Sequence, residues 1–132
     1  MQGNRDDGPS GFGYLVAGLD ADTGAVRWSS TYDGNGHAYD ECRALAVRAD
    51  GSKVFVTGGS TGVGSHQDVT TVAFDASTGA RLWVARHDGR AHGWDIGLGI
   101  AADPTADRVF VTGFSSNRWT TRQDYTTIAY QG

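Results

Sequence analysis

Hydrophobic and polar positions alternate with a period of two in a series of short segments along this chain. The clearest is Val69–Phe74, in which successive side chains would point to opposite faces of a pleated strand. Asp75 and Gly79 then supply a tight turn, because aspartate accepts backbone hydrogen bonds and glycine adopts positive φ readily. A second strand, Arg81–His87, follows the turn. No segment shows helical periodicity of useful length, so the pattern predicts an all-β fold.

The alternating segments recur at a fixed distance. Val54–Gly58 returns unchanged as Val109–Gly113, at an offset of 55 residues, and Trp28 matches Trp83 at the same offset. One additional residue enters after Phe114, within the loop that leads to the last strand. A repeat of this length indicates stacked supersecondary units of one kind, and a propeller blade is the obvious candidate.

The repeat predicts nine strands, divided as two, four and three. We expect a flexible N-terminus over residues 1–12, two outer strands of a first unit over 13–33, a complete unit over 41–88, and a three-stranded last unit over 95–132. The predicted strands cover 14–19, 26–32, 42–48, 53–57, 69–74, 81–87, 97–102, 108–112 and 124–130. Tight turns and long loops alternate between them, which is typical of an antiparallel meander.

The turn after each third strand carries a recognisable motif. Ala73-x-Asp-x-x-Thr-Gly-x-x-x-Trp83 resembles the tryptophan-docking motif of quinoprotein (PQQ-like) β-propellers, and the segment 50–58 resembles the YVTN-type propeller repeat. The resemblance implies a partial β-propeller of four-stranded antiparallel blades, about two and a quarter blades in all. The structural motif residues that carry it are Asp20, Thr23, Gly24, Trp28, Asp75, Thr78, Gly79 and Trp83.

Composition excludes some classes of partner. The net charge is −4 and the 11 basic residues are scattered, so no cluster is suited to a run of phosphates and nucleic acid is not an expected partner. No apolar run approaches the about 20 residues of a membrane span. The N-terminus lacks the hydrophobic segment of a signal peptide, and the compartment stays open. Cys42 is the single cysteine, for which we expect a buried, inert thiol.

Two groups of residues are candidates for chemistry. Gly58–Gly62 matches the G-x-S-x-G nucleophile elbow, but a second strand is predicted after it where the elbow requires a helix. The second group comprises two aspartate and histidine sets, one in each long loop that opens a unit: Asp33, His37 and Asp40, then Asp88, His92 and Asp95. Their spacing fits neither an EF-hand nor a zinc motif. We therefore expect these side chains to hold their own loops through backbone hydrogen bonds, and predict no metal or catalytic residue.

The long loops all emerge at one end of the meander, opposite the tight turns. Binding residues concentrate on loops that a rigid scaffold displays, and aromatic residues with arginine are typical of contact surfaces. The candidate binding face comprises His37, Tyr39, His66, Gln67, His92, Trp94, Arg118, Trp119 and Arg122.

Two functional hypotheses remain. The first is a non-catalytic module for binding or protein interaction, without a cofactor, which self-associates or belongs to a larger PQQ-like propeller. The alternative, implied by the resemblance, is a remnant of a PQQ-dependent quinoprotein dehydrogenase. The two differ in whether polar residues of several blades converge on a cofactor at a propeller axis.

Overall fold

The computed structural model of the protein describes residues 2–6, 11–117 and 122–132, without the side chains of residues 2, 4–6 and 117. These residues form ten strands and no helix, which confirms the all-β prediction. The strands are β1 Gln2–Asp6, β2 Phe12–Leu19, β3 Val26–Tyr32, β4 Asp40–Val47, β5 Lys53–Thr61, β6 Gln67–Asp75, β7 Arg81–His87, β8 His92–Ala102, β9 Arg108–Asn117 and β10 Gln123–Gln131.

The strands form three separate antiparallel meanders. The first sheet has the order β1-β2-β3, the middle sheet β4-β5-β6-β7, and the last sheet β8-β9-β10. The repeat is visible in the pairing, since Phe55 lies opposite Ala73 in the middle sheet and Phe110 lies opposite Ala129 in the last. The middle sheet is thus the complete four-stranded unit that the sequence analysis predicts over 41–88.

Strand β1 is a correction to the sequence analysis. It lies within the segment predicted to be a flexible N-terminus, and it gives the first sheet three strands where two are predicted. β1 pairs with β2 as β5 pairs with β6, so it takes the place of β5 in the first sheet. Among the described residues, no strand of the first sheet takes the place of β4, and none of the last sheet takes the place of β7.

Several strands extend further into the long loops than the sequence analysis predicts. β5 runs to Thr61 and β6 begins at Gln67, which leaves only residues 62–66 between them. β8 begins at His92 rather than at residue 97. A two-residue alternation of large apolar side chains marks the buried middle of a strand, whereas the added end of β5, residues 58–61, is rich in Gly and Ser and lacks it.

The sheets stack face to face around two apolar clusters. Val54, Val56, Val72 and Phe74 of the middle sheet contact side chains of the first sheet, including the buried Tyr14. The opposite face contacts the last sheet through Phe55, Val69 and Ala73 in a second cluster. The long strand β8 contacts β4, β5 and β6, and β4 contacts β1 and β2. The middle sheet is therefore covered on both faces.

The motif turn 75–79, between β6 and β7, packs against Trp28 of the first sheet. Asp75 accepts hydrogen bonds from the backbone N–H of Ser77 and of Thr78, each at 2.9 Å. Hydrogen bonds from the Ser77 and Thr78 hydroxyls hold the pKa of Asp75 at about 2. Gly79 follows at φ 74°, and its lack of a Cβ matters because a methyl group there would collide with the ring of Trp28.

Candidate functional site

Both loops that open a unit are held by the same set of contacts. Asp33 Oδ2 lies 2.8 Å from His37 Nδ1, and the N–H of Gly34 donates to Asp40 Oδ2 at 2.5 Å. His37 adopts a left-handed φ of 44°, and its N–H donates to the carbonyl of Gly34. These side chains thus bond within their own loop, as the sequence analysis expects.

The second loop repeats the arrangement residue for residue. Asp88 Oδ2 lies 2.5 Å from His92 Nδ1, and the Gly89 N–H donates to Asp95 Oδ2 at 2.6 Å. His92 has φ 50°. Positive φ is uncommon outside glycine, and its recurrence at both histidines shows that the motif fixes one loop conformation twice.

The two loops differ at the buried aspartate that opens the following strand. Asp40 uses both oxygens, because its Oδ1 accepts the N–H of Thr61 at 3.0 Å. Asp95 is equally inaccessible, at 0% exposure, but its Oδ1 has no hydrogen-bond partner. Burial raises the pKa of Asp40, although the N–H of Gly34 counteracts that effect.

The structure exposes several residues of the predicted binding face but buries one of them. Tyr39 and Trp94 are exposed, and the ring of Trp94 stacks on His66 with centroids 5.2 Å apart. Gln67 departs from the prediction, since it lies within β6, is only 2% exposed and donates to the Tyr39 carbonyl. His37, His92 and Arg122 are exposed. Arg118 and Trp119 lie outside the described residues.

A groove of about 600 Å³ opens at this end, between the loop that precedes β8 and the ends of β9 and β10. Arg122 is the one residue of the predicted binding face that lines it. The other polar side chains along it are His87, Asp88, Arg90, Ser115, Ser116, Asp124 and Thr126. The groove therefore combines both signs of charge with hydroxyl groups, and it suits a polar ligand better than an apolar one.

The G-x-S-x-G segment does not form a nucleophile elbow. Ser60 lies inside β5 and is fully buried. Its hydroxyl accepts a hydrogen bond from Arg86 at 2.8 Å, and a second nitrogen of Arg86 donates to Asp68 Oδ2 at 2.8 Å. The serine thus anchors an arginine that joins β5 to β7, and it has no access to substrate.

Cys42 is partly buried on β4. Its thiol donates to the carbonyl of Gly3 at 2.9 Å, and burial raises its pKa. A raised pKa lowers the fraction of reactive thiolate, which agrees with the expected inert thiol.

One cluster was not foreseen. Carboxylate oxygens of Asp68, Asp88 and Asp95 lie within 4.8 Å of one another. The sequence pattern marks Asp88 and Asp95 as candidates but not Asp68, because Asp68 belongs to β6 and approaches them only when the middle and last sheets stack. One feature of the sequence could have pointed to this cluster. The first unit has Gly13 at the position equivalent to Asp68, so the two junctions between sheets differ there in a carboxylate.

No model of a protein family matches this sequence, and a search among curated proteins finds no similar chain. The PQQ-like resemblance is therefore carried by the motif residues alone. Within the described ranges, the structure contains no helix with the length and apolar character needed to cross a membrane.

Proposed function

We propose that this chain is a non-catalytic β-propeller module of the PQQ-like type, which functions by binding further sheets of the same kind. The observation that carries the proposal is the outer face of the last sheet, which comprises Phe110, Thr112, Tyr125, Thr127 and Ala129. Phe110 is 39% exposed and Tyr125 is 91% exposed.

The same face of the middle sheet is buried. Phe55, the repeat equivalent of Phe110, is 1% exposed, and Val69, the equivalent of Tyr125, is also 1% exposed. Thr57, Thr71 and Ala73 complete that face, each at 0%. They are covered because the last sheet stacks on them. The outer face of the last sheet therefore has the positions, and most of the side-chain character, of a surface that accepts another sheet.

The open edge of β10 supports the same proposal. In the middle sheet, β6 is paired on both sides and buried along almost its full length. β10 repeats the β6 sequence, but its far edge is unpaired among the described residues and its side chains are mostly exposed. Unpaired edges of this length favour association through backbone hydrogen bonds.

The indole of Trp83 gives a third line of support. Trp28 Nε1 donates to the carbonyl of Ala76 in the turn of the next sheet, at 2.9 Å. Trp83 contacts Phe55 and Tyr130, but its Nε1 is buried without a hydrogen-bond partner. The residue equivalent to Ala76 in the last sheet is Gly132, so a complete turn after β10, of the same form as 75–79, would provide the acceptor.

The occupant that fits the exposed face and the open edge is another sheet of this repeat. Leu19 and Val26 at the far side of the first sheet are 42% and 62% exposed, which leaves an apolar surface there as well. The exposed surfaces of the first and last sheets differ, so the last sheet of one copy would contact the first sheet of the next. Such a head-to-tail assembly closes into a ring only if the rotations between successive copies add up to a full turn.

Size-exclusion chromatography with light scattering over a concentration series tests this proposal. The wild type should form dimers or larger species, and Tyr125→Lys should shift the equilibrium to monomer, because it places a charge on the surface that would be covered. Val63→Lys is the matched control, since Val63 is 79% exposed in the loop between β5 and β6. A monomer of 13.9 kDa at all concentrations would contradict the proposal.

The quinoprotein alternative is tested in parallel by tryptophan fluorescence. Saturable quenching by pyrroloquinoline quinone in the presence of calcium, where calcium alone gives none, would favour the dehydrogenase remnant. A binding module that recognises only sheets of its own kind should give no saturable signal with the quinone.

A further inference from the structure

The carboxylates of Asp68, Asp88 and Asp95 form a cluster between the middle and last sheets. Asp68 lies on β6, Asp95 lies on β8, and Asp88 lies in the loop that precedes β8. Each offers one oxygen to the cluster, and these oxygens are all within 4.8 Å of one another. Like charges at this separation repel, and the repulsion grows where burial removes water.

The positive groups nearby balance only part of this charge. Arg86 donates to Asp68 Oδ2 and neutralises one of the three carboxylates. His92 contacts Asp88 Oδ2, and its ring is exposed. Three carboxylates thus meet one directly paired guanidinium, so negative charge is in excess among the contacting groups.

The unused oxygens are the second observation. Asp68 is 5% exposed and Asp95 is 0% exposed, and Oδ1 of each is buried with no hydrogen-bond partner. Their Oδ2 atoms are occupied, by Arg86 in Asp68 and by the Gly89 N–H in Asp95. Two buried anionic oxygens thus have free lone pairs beside a third carboxylate. Buried charges in proteins are ordinarily paired or bound to a metal ion.

We propose that Asp68, Asp88 and Asp95 bind one calcium ion between the middle and last sheets. Ca²⁺ takes six to eight oxygen ligands at about 2.3–2.6 Å, so oxygens on opposite sides of the ion are about 4.6–5.2 Å apart. Oxygens that lie within 4.8 Å of one another are close enough to share one ion. A divalent charge also offsets the excess of negative charge, and Asp88 lines the open groove, which provides a route for the ion and for its water ligands.

The junction between the first and middle sheets provides an internal control. It contains the equivalent Asp33 and Asp40, with the same histidine contact and the same glycine hydrogen bond. The position equivalent to Asp68 is Gly13, and Asp40 Oδ1 is satisfied by Thr61. That junction therefore lacks both the third carboxylate and the free oxygen, and it should not bind the ion.

Calorimetric titration and thermal unfolding test the proposal on the full chain, freed of metal with EDTA and dialysed. Calcium chloride at up to about 1 mM, the range of extracellular calcium modules, should bind with a stoichiometry of one per chain. The melting temperature should rise by several degrees and then saturate, because the ion binds the folded state. Magnesium should give a smaller rise, since it requires a tighter octahedral site.

Asp88→Asn should abolish the calcium response while the protein remains folded, because this side chain is partly exposed. Asp33→Asn, the same change in the equivalent loop, should retain the full response. Asp95→Asn should abolish it as well. Three results would overturn the assignment to calcium. They are no heat of calcium binding and no rise in melting temperature in the wild type, an undiminished rise in Asp88→Asn, and an equal rise with magnesium.

Discussion

Trp28 and Trp83 occupy equivalent positions in the repeat but differ in one hydrogen bond. The indole N–H of Trp28 donates to Ala76, whereas that of Trp83 is buried and unpaired. A buried donor without a partner costs free energy, and a satisfied donor contributes about 1 kcal/mol. The same residue type in the same motif should therefore contribute differently to stability at the two positions.

Replacing each tryptophan by phenylalanine tests this difference. Trp28→Phe removes a hydrogen bond and leaves the Ala76 carbonyl without its donor, whereas Trp83→Phe removes a donor that has no acceptor. We expect Trp28→Phe to lower the free energy of unfolding by about 1 kcal/mol more than Trp83→Phe does. Urea denaturation at concentrations where light scattering gives a monomer is the measurement. Equal losses in the two variants would show that the Trp83 N–H has an acceptor in solution.

At the scale of single residues, the sequence predicts those contacts that form between residues close together in the chain. Asp75 and Gly79 are predicted to form a tight turn, and they do so through short hydrogen bonds and a left-handed φ. The burial of Gln67 and the approach of Asp68 to Asp95 depend on how two sheets stack. No spacing along the chain encodes that distance, so neither feature could be predicted from the pattern.

At the scale of the strands, alternation predicts the nine strands that have an apolar face and misses β1. The β1 sequence is Gln-Gly-Asn-Arg-Asp, which has no apolar side chain. Its strand conformation comes from pairing with the edge of β2 rather than from its own propensity. Pairing with another strand can thus override the conformational preference of a segment's own residues. The hydrophobic pattern of that segment alone does not reveal such a strand.

Strand β1 also covers Cys42, and this gives a prediction about reactivity. The thiol donates to Gly3 of β1, and burial raises its pKa. The folded chain should therefore react slowly with Ellman's reagent. Removal of residues 1–6 should increase the rate several-fold, because the thiol loses the Gly3 carbonyl as an acceptor and becomes more accessible to water.

The control is the same reaction in concentrated guanidinium chloride, where the full and shortened chains should react at one common rate. Near-UV circular dichroism of the shortened chain checks that the remaining sheets keep their packing. Identical rates for the two folded proteins would show that β1 does not protect Cys42 in solution.

At the scale of the whole molecule, the three sheets form a stack. Within the described part of the chain, the middle sheet has four strands and each end sheet has three. The last sheet lacks an equivalent of β7 among the described residues, and its outer face and far edge are exposed. The resemblance predicts four strands in each blade. The first and last sheets should therefore accept further strands in the positions that β4 and β7 occupy in the middle sheet.

A chain extended beyond Gly132 tests this expectation. Gly132 is equivalent to Ala76, since each donates its N–H across the neighbouring hairpin, to Asp107 in one case and to Ser52 in the other. An extension with the sequence of residues 77–87 should form the missing turn and strand and pair with β10. The free energy of unfolding and the denaturant m-value should both rise, because unfolding then exposes more surface.

The same extension should reduce association, because it covers the free edge of β10 with a paired strand. An extension of equal length and composition in scrambled order is the control, and it should change neither stability nor the oligomeric state. If the native and scrambled extensions behave alike, the edge of β10 is not an acceptor for a fourth strand. Self-association would then have to involve the outer face of the last sheet alone, where Tyr125→Lys remains the variant that disrupts it.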